Sequence, residues 1–190
     1  RFSRQIVLKN IGAIGQKKIL SSKVLIVGAG GLGSPAAEFL SRSGVGTIGI
    51  VDDDKVSLSN LHRQSLYLTK DIGKFKVKVA KEKIKKINYN TKVKIYKIRL
   101  NNINFKKIIN EYDYIIDGTD NFKTKFLLND LCLKFRKILI TGAISKFDGH
   151  VFTFDFKKKN IPCLRCFFQE IEISDNLLNC ESEGILGTVA

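Results

Sequence analysis

The segment VLIVGAGGLGS, residues 24–34, has the composition and spacing of a phosphate-binding turn. An apolar run leads into Gly28, Gly30 and Gly33, spaced as G-x-G-x-x-G, and a helix is predicted directly after them. Glycines let the backbone approach a phosphate closely, and the N-terminus of the helix carries partial positive charge toward it. We therefore expect this loop, including Gly31, to contact a nucleotide and not only to form a tight turn.

A carboxylate follows the second predicted strand at the distance expected for a ribose contact. Asp52 comes directly after the strand at 47–51 and about 20 residues beyond the glycines, where an acid accepts hydrogen bonds from both ribose hydroxyls. Asp53 and Asp54 follow, but we choose Asp52 because it alone adjoins the strand.

The segment SNLHRQ, residues 59–64, carries side chains for which a plain NAD site has no evident use. Arg63 is able to hold a triphosphate bidentately, with Asn60 and Gln64 beside it. Lys76 adds a point charge for the phosphates, although it lies among many other lysines. This segment favours a triphosphate as the ligand.

Two acids in DGTDN, Asp117 and Asp120, follow a further predicted strand. Mg²⁺ usually meets a nucleotide through one or two carboxylates together with phosphate oxygens. A magnesium-binding acid near Arg63 and Lys76 favours ATP over NAD. An NAD-linked oxidoreductase is the alternative that the glycine motif permits.

The cysteines suggest metal or thiol chemistry. Cys163 and Cys166, in PCLRC, supply two of the four thiolates of a tetrahedral zinc site, and a redox pair is the alternative. Cys180, in the polar stretch NCESEG, is a candidate nucleophile. Cys132 is predicted to be a small core residue on a helix.

The elements that position these residues alternate between strands and helices. Strands are predicted at 24–27, 47–51, 92–98, within 112–121, at 137–143 and 149–156, and helices at 3–20, from Pro35 to Gly44, at 75–87 and 123–135. This order predicts one α/β domain over 1–190, a Rossmann-like doubly wound fold with a mostly parallel sheet and helices on both faces. The loops bearing Gly28, Asp52 and Asp120 should then open on one rim.

Composition narrows the function classes. The net charge is +15, from 33 Lys+Arg against 18 Asp+Glu, but the lysines are scattered and not clustered with aromatic residues, so we do not predict nucleic-acid binding. No apolar run is long enough for a membrane span, and the first residues are not a secretory signal. We expect a cytoplasmic protein. Because Arg1 is not a translated start, we also expect a longer chain that continues past Ala190.

These motifs, in this order, resemble the ThiF/MoeB/HesA family, the bacterial relatives of the ubiquitin-activating enzymes. The matching segments are RFSRQI, VLIVGAGGLGS, SGVG, VSLSNLHRQ, IGKFK, DGTDN, GAISKFDG, PCLRC and NCESEG. The resemblance implies a homodimeric, ATP-dependent enzyme that adenylates the C-terminal Gly-Gly carboxylate of a ubiquitin-like sulfur-carrier protein of the MoaD or ThiS type. The pathway would be molybdopterin or thiamine biosynthesis, and a sulfurtransferase could be a further partner or domain.

The resemblance also implies roles for particular residues. The ATP contacts fall on Gly31, Asp52, Ser59, Asn60, Leu61, His62, Arg63, Lys76, Asp120 and Asn121. Asp120 matches an Mg²⁺ ligand, and Arg4 matches an arginine that reaches the ATP of the neighbouring subunit. Cys163 and Cys166 match half of a structural Zn²⁺ site, whose second C-x-x-C is absent from this sequence. Cys180 matches a cysteine that links to the carrier during sulfur transfer in some members.

A third hypothesis is a non-catalytic scaffold that binds a ubiquitin-fold protein. Such a chain would be expected to lose part of the set of ATP-binding residues, and the complete set is present here. The sequence therefore favours an enzyme.

Overall fold

The computed structural model of the chain describes residues 1–168 and 184–189. The strands are β1 (Lys23–Val27), β2 (Thr47–Val51), β3 (Lys92–Tyr96), β4 (Tyr114–Asp117), β5 (Ile138–Ser145) and β6 (Asp148–Asp155). The helices are α1 (Ser3–Ile6), α2 (Gly12–Ser21), α3 (Gly33–Ser43), α4 (Lys76–Ile87), α5 (Asn102–Ile108), α6 (Phe122–Lys134) and α7 (Leu164–Phe167), with 3-10 turns at Leu58–Asn60, Thr69–Asp71, Ile109–Glu111 and Gly187–Val189.

The six strands form one sheet in the order β3-β2-β1-β4-β5-β6. The first five are parallel, and β6 is antiparallel to β5. The chain winds outward from β1 in one direction to β3 and then crosses to β4 on its other side, so a switch point lies between β1 and β4. In sheets of this kind, ligands bind outside the carboxyl ends of the strands at that point. The predicted α/β fold is confirmed.

The sheet is covered by helices on both faces because successive side chains of a buried strand point to opposite sides. Val24 and Ile26 of β1 pack in one core with residues of α3 and α4. Leu25 and Val27 pack in a second core with residues of α5 and α6. Cys132 lies in this second core, fully buried as predicted, and burial raises the pKa of its thiol.

Three details add to the sequence predictions. The N-terminal helical segment, which Gly12 and Gly15 are expected to interrupt, is two helices, and Gly12, at φ +56°, begins the second one. Helix α5 was not predicted; it is short, and the side chain of Asn101 caps it by accepting from two backbone N–H groups. Strand β6 is antiparallel because only Lys146 and Phe147 separate it from β5, a connection that only antiparallel neighbours permit. Within residues 1–168 and 184–189, no helix has the length and apolar character needed to cross a membrane.

Candidate nucleotide-binding site

A cavity of about 580 Å³ opens at the carboxyl ends of the parallel strands. Its wall is built by the loops that follow β1, β2, β3 and β4 and by the end of β5. Nine of the predicted site residues line it: Gly28, Gly30, Gly31, Asp52, Asn60, Arg63, Lys76, Asp120 and Asn121. The predicted convergence on one rim is thus confirmed.

The glycine loop is pressed against the loop that follows β4. Gly28 has φ +88°, and a Cβ on it would lie 2.8 Å from the carbonyl oxygen of Gly118. A Cβ on Gly33 would lie 1.8 Å from the carbonyl oxygen of Gly28. Gly33 is not among the described residues that line the cavity. Its role is to let α3 pack closely on the glycine loop. The loop leaves Gly30 and Gly31 on the cavity wall at the start of α3.

Asp52 is held by the backbone on both of its oxygens. The N–H of Ala29 donates to Oδ2 at 2.7 Å, and the N–H of Asp54 donates to Oδ1 at 2.8 Å. Burial raises the pKa of this carboxyl, an effect that the charge of Lys76 opposes. Each carboxylate oxygen has a second lone pair, so Asp52 keeps acceptor capacity toward the cavity.

The Arg63 guanidinium is fixed by two neighbours in its own loop. Its Nη2 donates to Oδ1 of Asn60 at 2.8 Å, and its Nη1 lies 2.8 Å from Nε2 of His62. A guanidinium has five N–H donors, so donors remain for a phosphate. The sequence prediction placed Asn60 and His62 against the ligand. In this structure both contact Arg63, and Asn60 also lines the cavity.

Lys76 begins α4 with a side chain that is only 5% exposed. Its Nζ donates to Oδ2 of Asp54 at 2.8 Å, and the Asp54 side chain is 66% exposed. An ammonium group has three donors, so this contact leaves two for a ligand in the cavity. The partner Asp54 was not predicted, because the pairing joins two elements that lie 22 residues apart.

The structure places the two acids of DGTDN in different environments. Asp117 is fully buried and accepts from Nζ of Lys125 at 3.2 Å and from the hydroxyls of Thr119 and Thr141, each at 2.6 Å. Its oxygens are committed to the protein. Asp120 is exposed, lines the cavity and has one long contact, 3.4 Å from Nδ2 of Asn121. Of these two acids, Asp120 is the one that presents oxygens to a ligand.

Some of the predicted residues do not line the cavity, and one that lines it also caps a helix. Within the described part of the chain, Ser59, Leu61 and His62 belong to the Arg63 loop but do not line the cavity. Asn121 lines it, yet its Oδ1 accepts from the N–H of Thr124 and caps α6. Cys180 lies outside the described residues, and its prediction stands as made.

Arg4 lies at the opposite end of the sheet, away from the carboxyl ends of the strands. It is exposed on α1, which is anchored near the amino ends of the strands: the ring of Phe2 meets Gly44, and Gln5 donates to the carbonyl of Ser43. Arg4 does not line the cavity of its own chain within the described residues. A role for it on a nucleotide would require a second copy.

Cys163 and Cys166 face each other at the start of α7, with sulfur atoms 3.8 Å apart. Two sulfur ligands of tetrahedral zinc, with bonds of about 2.3 Å, are separated by about this distance. Burial raises the pKa of the Cys163 thiol, but hydrogen bonds from Arg165, Asn129 and Cys166 outweigh it, so the pKa is lowered. No third His, Cys, Asp or Glu joins this pair among the residues described.

Sequence reasoning assigned no role to several cavity residues. Arg99 lies between Ile98 and Leu100 after β3, His150 comes from β6, and Phe168 comes from the end of α7. Phe168 packs edge-on against Phe122, which also lines the cavity. These contacts depend on tertiary packing, and no motif in the sequence marks them.

The fold and cavity together define a class of protein, a doubly wound α/β domain with a phosphate-binding loop at its switch point. The fixed cations Arg63 and Lys76 and the exposed acid Asp120 lie beside that loop. A family model narrows this class, because the ThiF family matches residues 2–190. The chain belongs to the ThiF family.

Two curated relatives and one solved structure illustrate the match. A probable molybdopterin-synthase adenylyltransferase from Porphyra purpurea is 46% identical over 188 residues, covering 98% of this chain and 49% of that protein. A sulfur carrier protein adenylyltransferase from Thermus thermophilus is 38% identical over 192 residues, covering 100% and 71%. The crystal structure of E. coli MccB with ATP matches with a TM-score of 0.70 and 27% identity, over 80% of this chain and 46% of that one.

The chain spans about half the length of several of the curated relatives that it matches, and 49% of the Porphyra protein. The family membership and fold therefore apply to this domain, while the activity of a whole protein is a matter of proposal.

Proposed function

We propose that this domain is the ATP-binding part of an adenylyltransferase that activates the C-terminal Gly-Gly carboxylate of a ubiquitin-like sulfur-carrier protein. The observation that carries the proposal is the convergence of Asp52, Arg63, Lys76 and Asp120 on one cavity beside the glycine loop. The names of the Porphyra and Thermus relatives support both the reaction and the kind of substrate.

The proposed reaction needs charge neutralisation more than it needs a protein nucleophile. A carboxylate oxygen of the carrier attacks the α-phosphorus of ATP, the new O–P bond forms, and the bond to pyrophosphate breaks. A terminal carboxylate has a pKa of about 3.3–3.7 and is already ionised at neutral pH, so no general base is required. Negative charge grows on the phosphate oxygens, where Arg63 and Lys76 would stabilise it because both are already fixed in place.

Asp120 fits the part of a magnesium ligand because it is exposed, lines the cavity and makes one long contact. Bound Mg²⁺ would neutralise phosphate charge. Within the described residues, one group of three or more potential ligands could share a metal, Asp52 with Asp53 and Asp54. Asp120 is not part of it and would act as a lone carboxylate together with phosphate oxygens.

The sulfur separation of Cys163 and Cys166 fits a structural zinc ion, for which these residues would supply two ligands. The cysteines adjoin α7, which is tied to α6 by Arg165 and Asp130 at 2.9 Å. We propose this role over a redox pair because the separation matches zinc coordination. Cys180 keeps its proposed role as a sulfur-transfer cysteine, and a sulfurtransferase remains a proposed partner.

We also propose a homodimer in which Arg4 acts on the nucleotide of the partner subunit. Arg4 lies near the amino ends of the strands, away from the cavity of its own chain, and this position supports the arrangement. Apolar side chains of the N-terminal segment are exposed: Val7, three residues after Arg4, at 78%, and Ile14, on α2, at 77%. An apolar surface of this kind suits a partner of the same chain.

The test is ATP–pyrophosphate exchange by the full-length protein, with and without a candidate carrier ending in Gly-Gly. We expect exchange that requires the carrier and falls at least about a hundredfold in Asp120→Asn. The matched control is Asp113→Asn, an exposed acid at the amino edge of the sheet, which should exchange at the wild-type rate. Exchange by Asp120→Asn at the wild-type rate would refute the metal role.

Titration with Mg·ATP and with NAD separates adenylation from hydride transfer. We expect binding of Mg·ATP and none of NAD at the same concentrations. Tight NAD binding without ATP binding would overturn the proposed function and favour the oxidoreductase.

A further inference from the structure

Residues 184–189 come back to the rim of the nucleotide cavity and lie on the β5–β6 hairpin. The N–H of Leu186 donates to the carbonyl oxygen of Lys146, in the turn between the two strands, at 3.1 Å. Further along, the side chain of Val189 packs on β6, where a Cβ on Gly149 would lie 3.5 Å from its Cγ1. The segment is therefore anchored to the hairpin at two points.

Gly187 lies between these two anchors and is pressed against His62. A Cβ on Gly187 would lie 2.5 Å from the carbonyl oxygen of His62 and 3.0 Å from its Nδ1. A Cβ essentially never lies so close to a backbone oxygen, so any larger residue at this position would have to push His62 and the segment apart. The close approach of the segment to His62 thus requires a glycine.

His62 connects this segment to the site, because it holds the Arg63 guanidinium. Nη1 of Arg63 lies 2.8 Å from Nε2 of His62. A guanidinium only donates hydrogen bonds, so Nε2 is the acceptor, and in the neutral ring the proton is on Nδ1, on the side of Gly187. The imidazole therefore lies between the segment and the guanidinium.

The segment supplies what the exposed His62 side chain lacks, a surface that limits its movement. An exposed side chain pays conformational entropy when it is held in one rotamer. Packing against residues 184–189 restricts that freedom before a ligand arrives, and donors fixed in advance stabilise charge best. The segment has no charged side chain, so its effect on phosphates would have to pass through His62 and Arg63.

We propose that residues 184–189 are a positioning segment for the phosphate-binding arginine. Gly187 lets the segment close on His62, and His62 holds the Arg63 guanidinium toward the triphosphate. This rests on the proposed function, since ATP is taken as the ligand. Neither Gly187 nor His62 is among the described residues that line the cavity, so both are positioning residues that act through Arg63. Nucleotide binding is thereby coupled to a part of the chain that follows β6.

The experiment adds one methyl group at Gly187 and, as a matched control, one at Gly149, in the full-length protein. Gly187→Ala places the new Cβ against His62, whereas Gly149→Ala places it at an ordinary contact distance from Val189 of the same segment. Two quantities are measured: the Kd of Mg·ATP by calorimetry, and the melting temperature without nucleotide, which sets an assay temperature at which every variant is folded.

We expect Gly187→Ala to raise the Kd of Mg·ATP about three- to tenfold, the range of one hydrogen bond, and Gly149→Ala to leave it unchanged. In an Arg63→Met background, Gly187→Ala should raise the Kd no further, because the residue through which it acts is gone. A general distortion of the cavity would raise the Kd in both backgrounds. That result, or Gly187→Ala that binds Mg·ATP as the wild type does, would overturn the inference.

Two substitutions of His62 test the connection to Arg63. In His62→Gln the amide oxygen is able to take the place of the Nε2 acceptor, so the Kd should stay near the wild-type value. His62→Leu removes the acceptor and should raise the Kd as Gly187→Ala does. Equal Kd values in the two His62 variants would contradict the role of the imidazole. Failure of the wild-type protein to bind Mg·ATP would instead refute the proposed function.

Discussion

Asp117 and Asp120 lie three residues apart, and we predict opposite effects when each is replaced by asparagine. Asp117→Asn should lose stability, and Asp120→Asn should lose activity. Asp117→Asn removes the carboxylate that faces Nζ of Lys125, whose side chain is 6% exposed. Breaking a buried ion pair by removing one partner costs about 3–5 kcal/mol, because the remaining charge is left uncompensated. For a domain of this size, each kcal/mol lowers the melting temperature by about 2–4 °C, so we expect a fall of roughly 6–20 °C.

Asp120→Asn should leave stability nearly unchanged, because the side chain is exposed and makes one long contact. It should instead lose carrier-dependent exchange. Thermal melting and urea unfolding of both variants, together with the exchange assay at a temperature where both are folded, measure the contrast. Normal melting of Asp117→Asn together with loss of exchange would contradict the structural role given to Asp117 and move it into the site.

Three further predictions follow from close contacts and from the positions of charges. Gly33→Ala should destabilise the domain by about 1–3 kcal/mol or more in urea unfolding, since its Cβ would meet the carbonyl oxygen of Gly28. Gly15→Ala, within α2, should change the stability much less, because the atom nearest to its Cβ would be the Cγ2 of Ile11, at 3.2 Å, and the gain in helix propensity opposes that contact. Lys76→Met should lower the exchange rate by about 10²–10³ while the protein remains folded, because its partner Asp54 is largely exposed and would stay solvated. Mixing Arg4→Ala with Asp120→Asn subunits should restore about a quarter of wild-type exchange. Random pairing makes about half of the dimers mixed, and each mixed dimer holds one complete site out of two.

Each of these has a result that would contradict it. Gly33→Ala with wild-type stability would mean that the loop is not closely packed. Lys78→Met, an exposed lysine on the same helix as Lys76, is the matched control, and an equal loss in both would point to a general effect of charge. Mixed Arg4 and Asp120 variants that stay inactive would place Arg4 outside the site of the partner subunit.

The sequence was sufficient to predict that the loops bearing Gly28, Asp52 and Asp120 meet at the cavity. Gly28, Asp52 and Asp120 each follow a buried strand, and the carboxyl ends of parallel strands share one rim. Periodicity located the strands because their buried runs are short and bounded by glycines and acids. These features depend on local pattern and on sheet topology, so they could be inferred without coordinates.

The pairing of side chains inside the site could not be inferred in this way. Nothing in the spacing of DGTDN distinguishes Asp117, committed to Lys125, from the available Asp120. The hold of His62 on Arg63 depends on side-chain directions set by packing. Short α5 was missed because its seven residues carry too few periods to be distinguished from a loop.

The most direct test of adenylation is the mass of the carrier itself. The full-length protein is incubated with Mg·ATP and a carrier ending in Gly-Gly, and the carrier is examined by intact-mass and fragment spectrometry with a carrier lacking the last glycine as the control. We predict an AMP adduct on the terminal carboxylate of the intact carrier only, which disappears when Asp120→Asn replaces the wild-type enzyme. Carriers that remain unmodified while the protein binds Mg·ATP, or an adduct that also forms on the truncated carrier, would contradict the proposed reaction.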